Sequence, residues 1–260
     1  MMDKPLSGKR VLVTRAKEQA KSLSVLIKNE GGIPIEIPLI AFQRPRNKEA
    51  FQHIERELET YDWIIFTSAN GVRFFLESLQ EQQIRSLPKV AVVGRKTEKA
   101  LKGYGITPSL IPDKFVAESL ADALLAEVSD GQRLLFARGN LSRPFLPRVF
   151  EERGFAVTEL TVYETIIPKE AEHTLLDALQ NESIDIFTFT SSSTVKHFHS
   201  LLANQSWSEW TKSAVFAYIG PIAANTAKEK GLPIHVVADP YTSEGLIDAL
   251  SSYLKGGTLK

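Results

Sequence analysis

The sequence predicts an α/β protein with two five-stranded parallel sheets. Short apolar runs rich in β-branched residues alternate with amphipathic segments of helical length along the chain. This alternation is typical of βαβ units. Ten such runs are many for one open sheet and natural for two sheets of five. An internal repeat supports the division into two sheets.

Each predicted strand is a run of four or five mostly apolar residues. The predicted strands are Arg10–Thr14, Ile33–Ile37, Trp63–Phe66, Val90–Val93, Pro108–Ile111, Arg133–Phe136, Ala156–Leu160, Ile186–Phe189, Val215–Ile219 and Ile234–Val237. Amphipathic helices are predicted between them, including Glu18–Asn29, Gly71–Gln80, Lys96–Lys102, Glu118–Glu127 and Glu244–Leu254. The apolar stripe of each helix is expected to cover a sheet.

The two parts of the chain repeat each other. Asp62–Ser68 (DWIIFTS) matches Asp185–Ser191 (DIFTFTS) at an offset of 123 residues. After a slip of three residues the offset becomes 126, and Gly94 then matches Gly220. Generic similarity between βαβ units does not keep a constant spacing over several elements, so we interpret the match as a true repeat.

Two extended segments bounded by proline interrupt the alternation at matching places. They are Pro38–Pro45 (PLIAFQRP) and Thr161–Pro168 (TVYETIIP). We interpret residues 38–45 and 161–168 as linker strands that cross between two lobes. Residues 46–160 then form an inserted lobe, and residues 1–37 combine with 169–260 in a discontinuous one.

Small polar residues follow two matching strands. Thr67, Ser68 and Asn70 come after one predicted strand, and Ser191 and Ser192 come after its counterpart. Parallel sheets bind ligands at the carboxyl ends of their strands, and free N–H groups at a helix start bind carboxylate or phosphate oxygens. Helix capping needs only one such side chain, so we predict anion binding as well as capping.

Glycine and arginine follow other strands. Gly94 and Gly220 each stand between a strand and a helix, where glycine permits close approach of a ligand or makes only a tight turn. Arg15 and Arg138, which match at the offset of 123, each lie just after a predicted strand. A guanidinium there suits carboxylate recognition, although a surface arginine paired with a helix acid is the alternative.

Tyr163 lies in the second linker segment. A linker between two lobes passes the mouth of the cleft between them, and a phenol there could donate a proton or a hydrogen bond. The alternative is an amphipathic tyrosine that packs at the hinge.

Composition excludes several function classes. Lys and Arg total 31 and balance 31 Asp and Glu, so a general nucleic-acid binder is disfavoured. The absence of cysteine excludes disulfides, thiolate catalysis and thiolate-bound metals. Dinucleotide and P-loop fingerprints are also absent. No long apolar stretch and no signal-peptide pattern is present, so we expect a cytoplasmic protein without membrane contact.

The chain resembles the uroporphyrinogen-III synthase family over nearly its full length. Each motif is short, and their common order and spacing make the set specific. The motifs are Val11–Arg15 (VLVTR), Phe66–Gly71 (FTSANG), Val92–Gly94 (VVG), Val162–Thr165 (VYET), Phe189–Ser193 (FTSSS), Ile219–Pro221 (IGP) and Thr242–Leu246 (TSEGL).

The resemblance implies two Rossmann-like, flavodoxin-like lobes joined by a two-stranded linker. It implies a cyclising lyase of porphyrin biosynthesis that converts hydroxymethylbilane to uroporphyrinogen III, with loss of water and inversion of ring D. No metal or organic cofactor is implied. The implied partners are the substrate and, transiently, the upstream bilane-forming deaminase, with no nucleic acid or membrane; we expect a monomer.

The resemblance also implies the site residues. Tyr163 matches the linker tyrosine of the family and takes the role of general acid. Ala223 stands where many members have threonine, which puts a side-chain contact there in doubt. The expected substrate-binding residues are Arg15, Thr67, Ser68, Asn70, Gly94, Arg138, Ser191, Ser192, Gly220, Thr242 and Ser243.

The alternative function is a non-catalytic anion- or tetrapyrrole-binding regulatory module of the same fold. Tyr163 and the polar turns discriminate between the two functions, because a non-catalytic relative is expected to lose them first. All are present here.

Overall fold

The computed structural model describes residues 4–205 and 207–256. Strands and helices alternate along these residues. The strands are β1 (Arg10–Val13), β2 (Ile33–Glu36), β3 (Ala41–Gln43), β4 (Trp63–Phe66), β5 (Lys89–Val92), β6 (Arg133–Gly139), β7 (Ala156–Ile166), β8 (Ile186–Phe189), β9 (Val215–Tyr218) and β10 (Val236–Val237). The helices are α1 (Lys17–Asn29), α2 (Glu49–Glu57), α3 (Ala69–Leu76), α4 (Glu81–Arg85), α5 (Arg95–Lys102), α6 (Ala117–Leu125), α7 (Phe145–Glu151), α8 (Ala171–Asn181), α9 (Ser192–Leu201), α10 (Trp207–Trp210), α11 (Pro221–Glu229) and α12 (Ser243–Leu254).

The strands form two five-stranded sheets within the described residues. Their orders are β10-β9-β8-β1-β2 and β3-β7-β6-β4-β5. The pairings with a described register are all parallel, as in β1 with β8 and β4 with β6. The prediction of an α/β fold with two five-stranded sheets is confirmed.

The chain divides into two compact units. The continuous unit, Phe42–Thr165, contains the second sheet. The split unit, which combines the residues up to Ala41 with those from Ile166 onward, contains the first sheet. Both boundaries fall within strands, namely β3 and β7.

The predicted strand Pro108–Ile111 is wrong. In the structure only Leu110 bridges to Ala91, and the segment forms no strand. Pro108 and Pro112 flank the bridge, and proline has no N–H to extend a ladder. The fifth place in this sheet is taken by β3, which the sequence analysis assigned to a linker.

Both faces of each sheet are buried. Along β4, Trp63 and Ile65 pack in one apolar cluster, whereas Ile64 and Phe66 pack in another. Side chains of a strand alternate between faces, so helices must cover both. Among the described residues, no helix combines the length and apolar character needed to span a membrane.

The internal repeat is visible at the amino ends of the central strands. The Asp62 carboxylate accepts the backbone N–H of Arg133 at 2.8 Å. The Asp185 carboxylate accepts the backbone N–H of Arg10, also at 2.8 Å. Asp62 matches Asp185 and Arg10 matches Arg133 at the offset of 123, so each sheet contains the same contact between an Asp carboxylate and a backbone N–H. We call each of these contacts a carboxylate clamp. Each clamp joins a central strand to the start of its neighbour.

Candidate functional site

Serine caps the helix after each matching strand. The Ser68 hydroxyl oxygen accepts the Gly71 N–H at 3.0 Å at the start of α3. The Ser191 hydroxyl oxygen accepts the Thr194 N–H at 3.2 Å at the start of α9. Each serine therefore satisfies one N–H of its first helical turn and leaves others for a ligand.

In the continuous unit, a cavity of about 350 Å³ opens at the carboxyl ends of the strands. Thr67 lines it together with Phe115, Ser142 and Arg143. Asn70, in the first turn of α3, is half-buried. The cavity lining also includes the acidic residue Glu118 and several apolar side chains, so hydroxyl groups, both signs of charge and apolar surface border a space large enough for part of a small ligand.

Tyr163 is buried, with 8% of its surface exposed. Its ring stacks on Phe74 at a centroid distance of 5.6 Å and meets the edge of Phe42 at 5.8 Å. Its phenol oxygen lies 3.2 Å from the Ser68 hydroxyl oxygen. The ring therefore packs in an aromatic cluster, as the packing alternative expects, while its hydroxyl reaches the cap of α3.

Glycine at position 139 makes room for this ring. A Cβ on Gly139 would lie 2.4 Å from the Tyr163 Cζ atom. The register between β6 and β7 shifts at Arg138 and Gly139, so that β7 contains an extra residue, Val162. This bulge places Tyr163 opposite Gly139.

Arg15 and Ser243 meet at the carboxyl edge of the split unit. The Arg15 Nη1 donates to the Ser243 hydroxyl at 2.9 Å. Burial lowers the pKa of the Arg15 guanidinium, and the nearby Glu244 carboxylate acts in the opposite direction. The group stays charged at neutral pH. Its Nε is buried and has no hydrogen-bond partner within the described residues.

Arg138 lies within β6, which extends to Gly139, and not after the strand as predicted. Its Nη1 forms an ion pair with Glu159 at 2.9 Å and donates to the Ser142 carbonyl at 3.2 Å. The paired acid belongs to β7 and not to a helix. Like that of Arg15, the Nε of Arg138 is buried and unpartnered within the described part of the chain.

Gly94 and Gly220 begin α5 and α11 in extended backbone. A Cβ on Gly94 would lie 2.9 Å from Phe115 Cβ, and one on Gly220 would lie 3.1 Å from Tyr241 Cγ. Both glycines are therefore needed for close approach and not for a positive φ.

Further hydrogen bonds fix two of the expected residues of the split unit, Ser192 and Thr242. The Ser192 hydroxyl donates to the Ile222 carbonyl at 3.4 Å, which joins the starts of α9 and α11. Thr242 caps α12 through the Gly245 N–H at 3.0 Å. Ala223 is 3% exposed in an apolar cluster, so this position adds no polar group.

The structure thus gathers the expected residues at the carboxyl edge of each sheet. Sequence reasoning did not single out Gly139, Phe115 or Tyr241. The offset of 126 that pairs the two glycines also pairs Phe115 with Tyr241, and this signal was available in the sequence.

Sequence comparison gives relatives over nearly the whole chain. The family model described as uroporphyrinogen-III synthase HemD matches residues 21–248. The uroporphyrinogen-III synthase of Synechococcus elongatus is 32% identical, over 99% of this chain and 100% of the relative. That of Chlorobaculum parvum is 30% identical, over 95% of this chain and 100% of the relative.

Solved structures share the fold. A mutant uroporphyrinogen III synthase from Thermus thermophilus gives a TM-score of 0.67 at 19% identity, with 96% of this chain and 100% of that chain covered. Uroporphyrinogen-III synthetase from Helicobacter pylori gives 0.64 at 16% identity, with 95% and 99% covered.

Proposed function

The chain belongs to the uroporphyrinogen-III synthase family, and we infer that it closes hydroxymethylbilane to uroporphyrinogen III. It is a cyclising lyase of porphyrin biosynthesis. The observation that carries this function is the 32% identity to a uroporphyrinogen-III synthase over 99% of the chain.

The main contribution of the protein to this reaction is to position the substrate. The ring-A hydroxyl leaves as water after it gains a proton, and the resulting cation is resonance-stabilised. The substituted α-carbon of ring D then attacks that cation, so that this carbon is bonded to two methylene groups. Its bond to the methylene of ring C breaks and leaves a resonance-stabilised cation on ring C. The free α-carbon of ring D attacks this second cation and loses a proton, which restores the pyrrole and leaves ring D inverted. Holding the bilane so that the substituted carbon is the one that attacks first supplies most of the catalysis.

We propose that the helix starts at the two sheet edges bind the eight carboxylates of the substrate. The serine caps at Ser68 and Ser191 leave first-turn N–H groups unused, and these donate well to anions. Thr67, Asn70 and Ser192 are half-buried beside them. Gly94 and Gly220 contribute through the backbone at the starts of α5 and α11.

Arginine contributes charge in the same proposal. Arg15 is held by Ser243 next to the cap residue Thr242, and its charged guanidinium suits a carboxylate. Arg138 is expected to contribute less to carboxylate binding, because Glu159 already balances its charge.

Tyr163 is proposed as the donor to the departing hydroxyl. Support comes from its fixed position: two aromatic contacts hold the ring, and the phenol lies at the start of α3. The same burial suits a tyrosine that only packs, so the variants described in the Discussion decide between the two roles.

Two further properties are proposed from the family resemblance. The protein acts as a cytoplasmic monomer and receives its substrate through transient contact with the bilane-forming deaminase. Direct transfer suits a substrate that closes spontaneously to the type I isomer when it is free in solution.

A coupled assay tests the function. Hydroxymethylbilane is generated in place by a deaminase, this protein is added, and the oxidised products are separated by isomer. We expect type III to replace type I as the concentration of the protein rises. Type I alone at high protein concentration would contradict catalysis and favour the non-catalytic binding module.

A further inference from the structure

Two aromatic side chains at the carboxyl edges are unusually open to solvent. Phe115 is 50% exposed and Tyr241 is 60% exposed. Neither belongs to the apolar clusters that fill the two units. A single exposed aromatic needs no explanation, but these two occupy matching positions of the repeat.

Each ring lies against the glycine that begins a neighbouring helix. Phe115 is the closest neighbour of a Cβ built on Gly94, and Tyr241 is the closest neighbour of one built on Gly220. Both the glycines and the aromatics match at the offset of 126 residues. The same arrangement therefore occurs once in each unit.

Packing at a helix start does not account for these rings. Each directly precedes a helix cap residue, Val116 for α6 and Thr242 for α12. A hydrophobic residue at that position often packs onto the first turn of its helix and becomes buried. Here half or more of each residue is exposed, and each lies against the glycine of another helix.

We propose that Phe115 and Tyr241 are substrate-binding residues, each of which supports one pyrrole ring of the linear tetrapyrrole. This inference rests on the proposed function. A pyrrole is a flat, electron-rich ring, and aromatic side chains hold such rings in offset-stacked or edge-to-face contact. The absence of a Cβ at each glycine leaves room for the aromatic side chain against the turn, and half or more of each aromatic residue stays exposed.

The surroundings suit a ring that carries carboxylates. The Arg95 guanidinium lies 5.6 Å from the Phe115 ring centroid. Phe115 also lines the cavity that contains Thr67, Ser142 and Arg143. Thr242 directly follows Tyr241, and its hydroxyl caps α12. Arg95 also pairs with Glu98 at 3.1 Å, and the cavity includes Glu118, so Arg143 is the cation near Phe115 that forms no ion pair within the described residues. Each aromatic thus offers an apolar surface beside polar groups, which suits one pyrrole with its side chains.

Binding of uroporphyrin III, a stable oxidised octacarboxylate, tests the proposal by fluorescence titration. Phe115→Ala and Tyr241→Ala are compared with Tyr241→Phe, which keeps the ring. Tyr104→Ala is the matched control, because Tyr104 is also a partly exposed aromatic, at 37%, but follows the carboxyl end of α5. The KM for hydroxymethylbilane is measured in parallel.

We expect each alanine variant at 115 and 241 to bind about 3- to 10-fold more weakly and to raise KM similarly, as for loss of one aromatic contact. Tyr241→Phe and Tyr104→Ala should bind like the unaltered protein. Thermal unfolding should change little, since the rings are exposed.

Two results would overturn the inference: binding and KM unchanged in both alanine variants, or an equal loss in Tyr104→Ala. Failure of the proposed function is distinguishable, because the unaltered protein would then yield only type I product. If the unaltered protein makes type III product and the Phe115 and Tyr241 variants keep its binding and KM, only the proposed aromatic contacts are rejected.

Discussion

The phenol oxygen of Tyr163 lies 3.2 Å from the hydroxyl oxygen of Ser68, a residue 95 positions earlier in the chain. Ser68 also accepts the Gly71 N–H at the start of α3. When the Ser68 hydroxyl donates to the phenol oxygen, the phenol proton is free for a substrate. The contact therefore connects the proposed donor with the proposed anion-binding turn.

Tyr163→Phe should lower kcat and kcat/KM together, because it removes a group that acts mainly in the transition state. General-acid assistance is typically worth about 10²- to 10⁴-fold, and a readily departing hydroxyl places the effect at or below the low end. Steady-state kinetics with isomer analysis measure it. Type III should remain the product, because positioning decides the isomer.

The control for this variant is its thermal unfolding, which should shift little, since the ring and its aromatic contacts remain. An unchanged kcat would leave Tyr163 as a packing residue. A switch to type I product would instead assign it to substrate positioning.

Gly139→Ala should displace the Tyr163 ring, because the new methyl group would lie 2.4 Å from its Cζ atom. Overpacking of this kind destabilises by about 1–3 kcal/mol, measurable by urea unfolding. We also expect kcat to fall toward the Tyr163→Phe value. In the Tyr163→Phe background the same change should still lower stability but should not lower kcat further. A full additional loss of kcat there would contradict a role through the phenol.

Replacing the capping serines by alanine, and neighbouring polar residues by aspartate, should distinguish the effect of helix capping from the effect of substrate binding. Ser68→Ala and Ser191→Ala remove a cap, which costs about 1 kcal/mol of stability, but they leave the N–H donors and should change KM only mildly. Asn70→Asp and Ser192→Asp place an anion at a helix start, where it does not destabilise the helix. The same charge repels substrate carboxylates, so KM should rise far more. Equal, negligible changes of KM in all four variants would place these turns outside the site.

Tyr218 should contribute to loss of stability in alkali. Its hydroxyl donates to the Pro233 carbonyl at 2.8 Å, and burial raises its pKa well above that of a free tyrosine. Its contribution is fully present below the unfolded-state pKa of about 10 and declines as pH rises above that value, because the unfolded chain then releases the proton.

Tyr218→Phe should therefore be less stable than the unaltered protein at pH 8, by about 1 kcal/mol. The difference should shrink between about pH 10 and pH 11. Denaturant unfolding at both ends of this range measures it. A difference that stays constant or widens would contradict the assignment.

Sequence patterns predicted features that depend on neighbouring residues, such as strands and helix starts. They did not predict contacts between elements that are distant in the sequence. The apolar runs located strands such as β4 and β8, and the polar residues after them marked the turns that the structure shows as helix starts. β3 was missed because only three residues form it, close to two prolines that favour a linker.

The surroundings of Tyr163 could not be predicted, because Phe42 and Phe74 come from two other elements. The pairing of Arg138 with Glu159 likewise depends on the register between β6 and β7. Matching positions of Phe115 and Tyr241 were visible in the repeat, but only coordinates show that each lies against a glycine and remains exposed.

The two carboxylate clamps can form at different times during synthesis of the polypeptide. Asp62 and Arg133 are separated by 71 positions, so their clamp can close soon after the continuous unit leaves the ribosome. Arg10 and Asp185 are separated by 175 positions, so β1 can pair with β2 early but must wait for β8 while the intervening chain is synthesised. Contacts of such long range slow folding and prolong exposure of apolar strands. The opening strands are thus the part of this chain most dependent on protection from aggregation during translation.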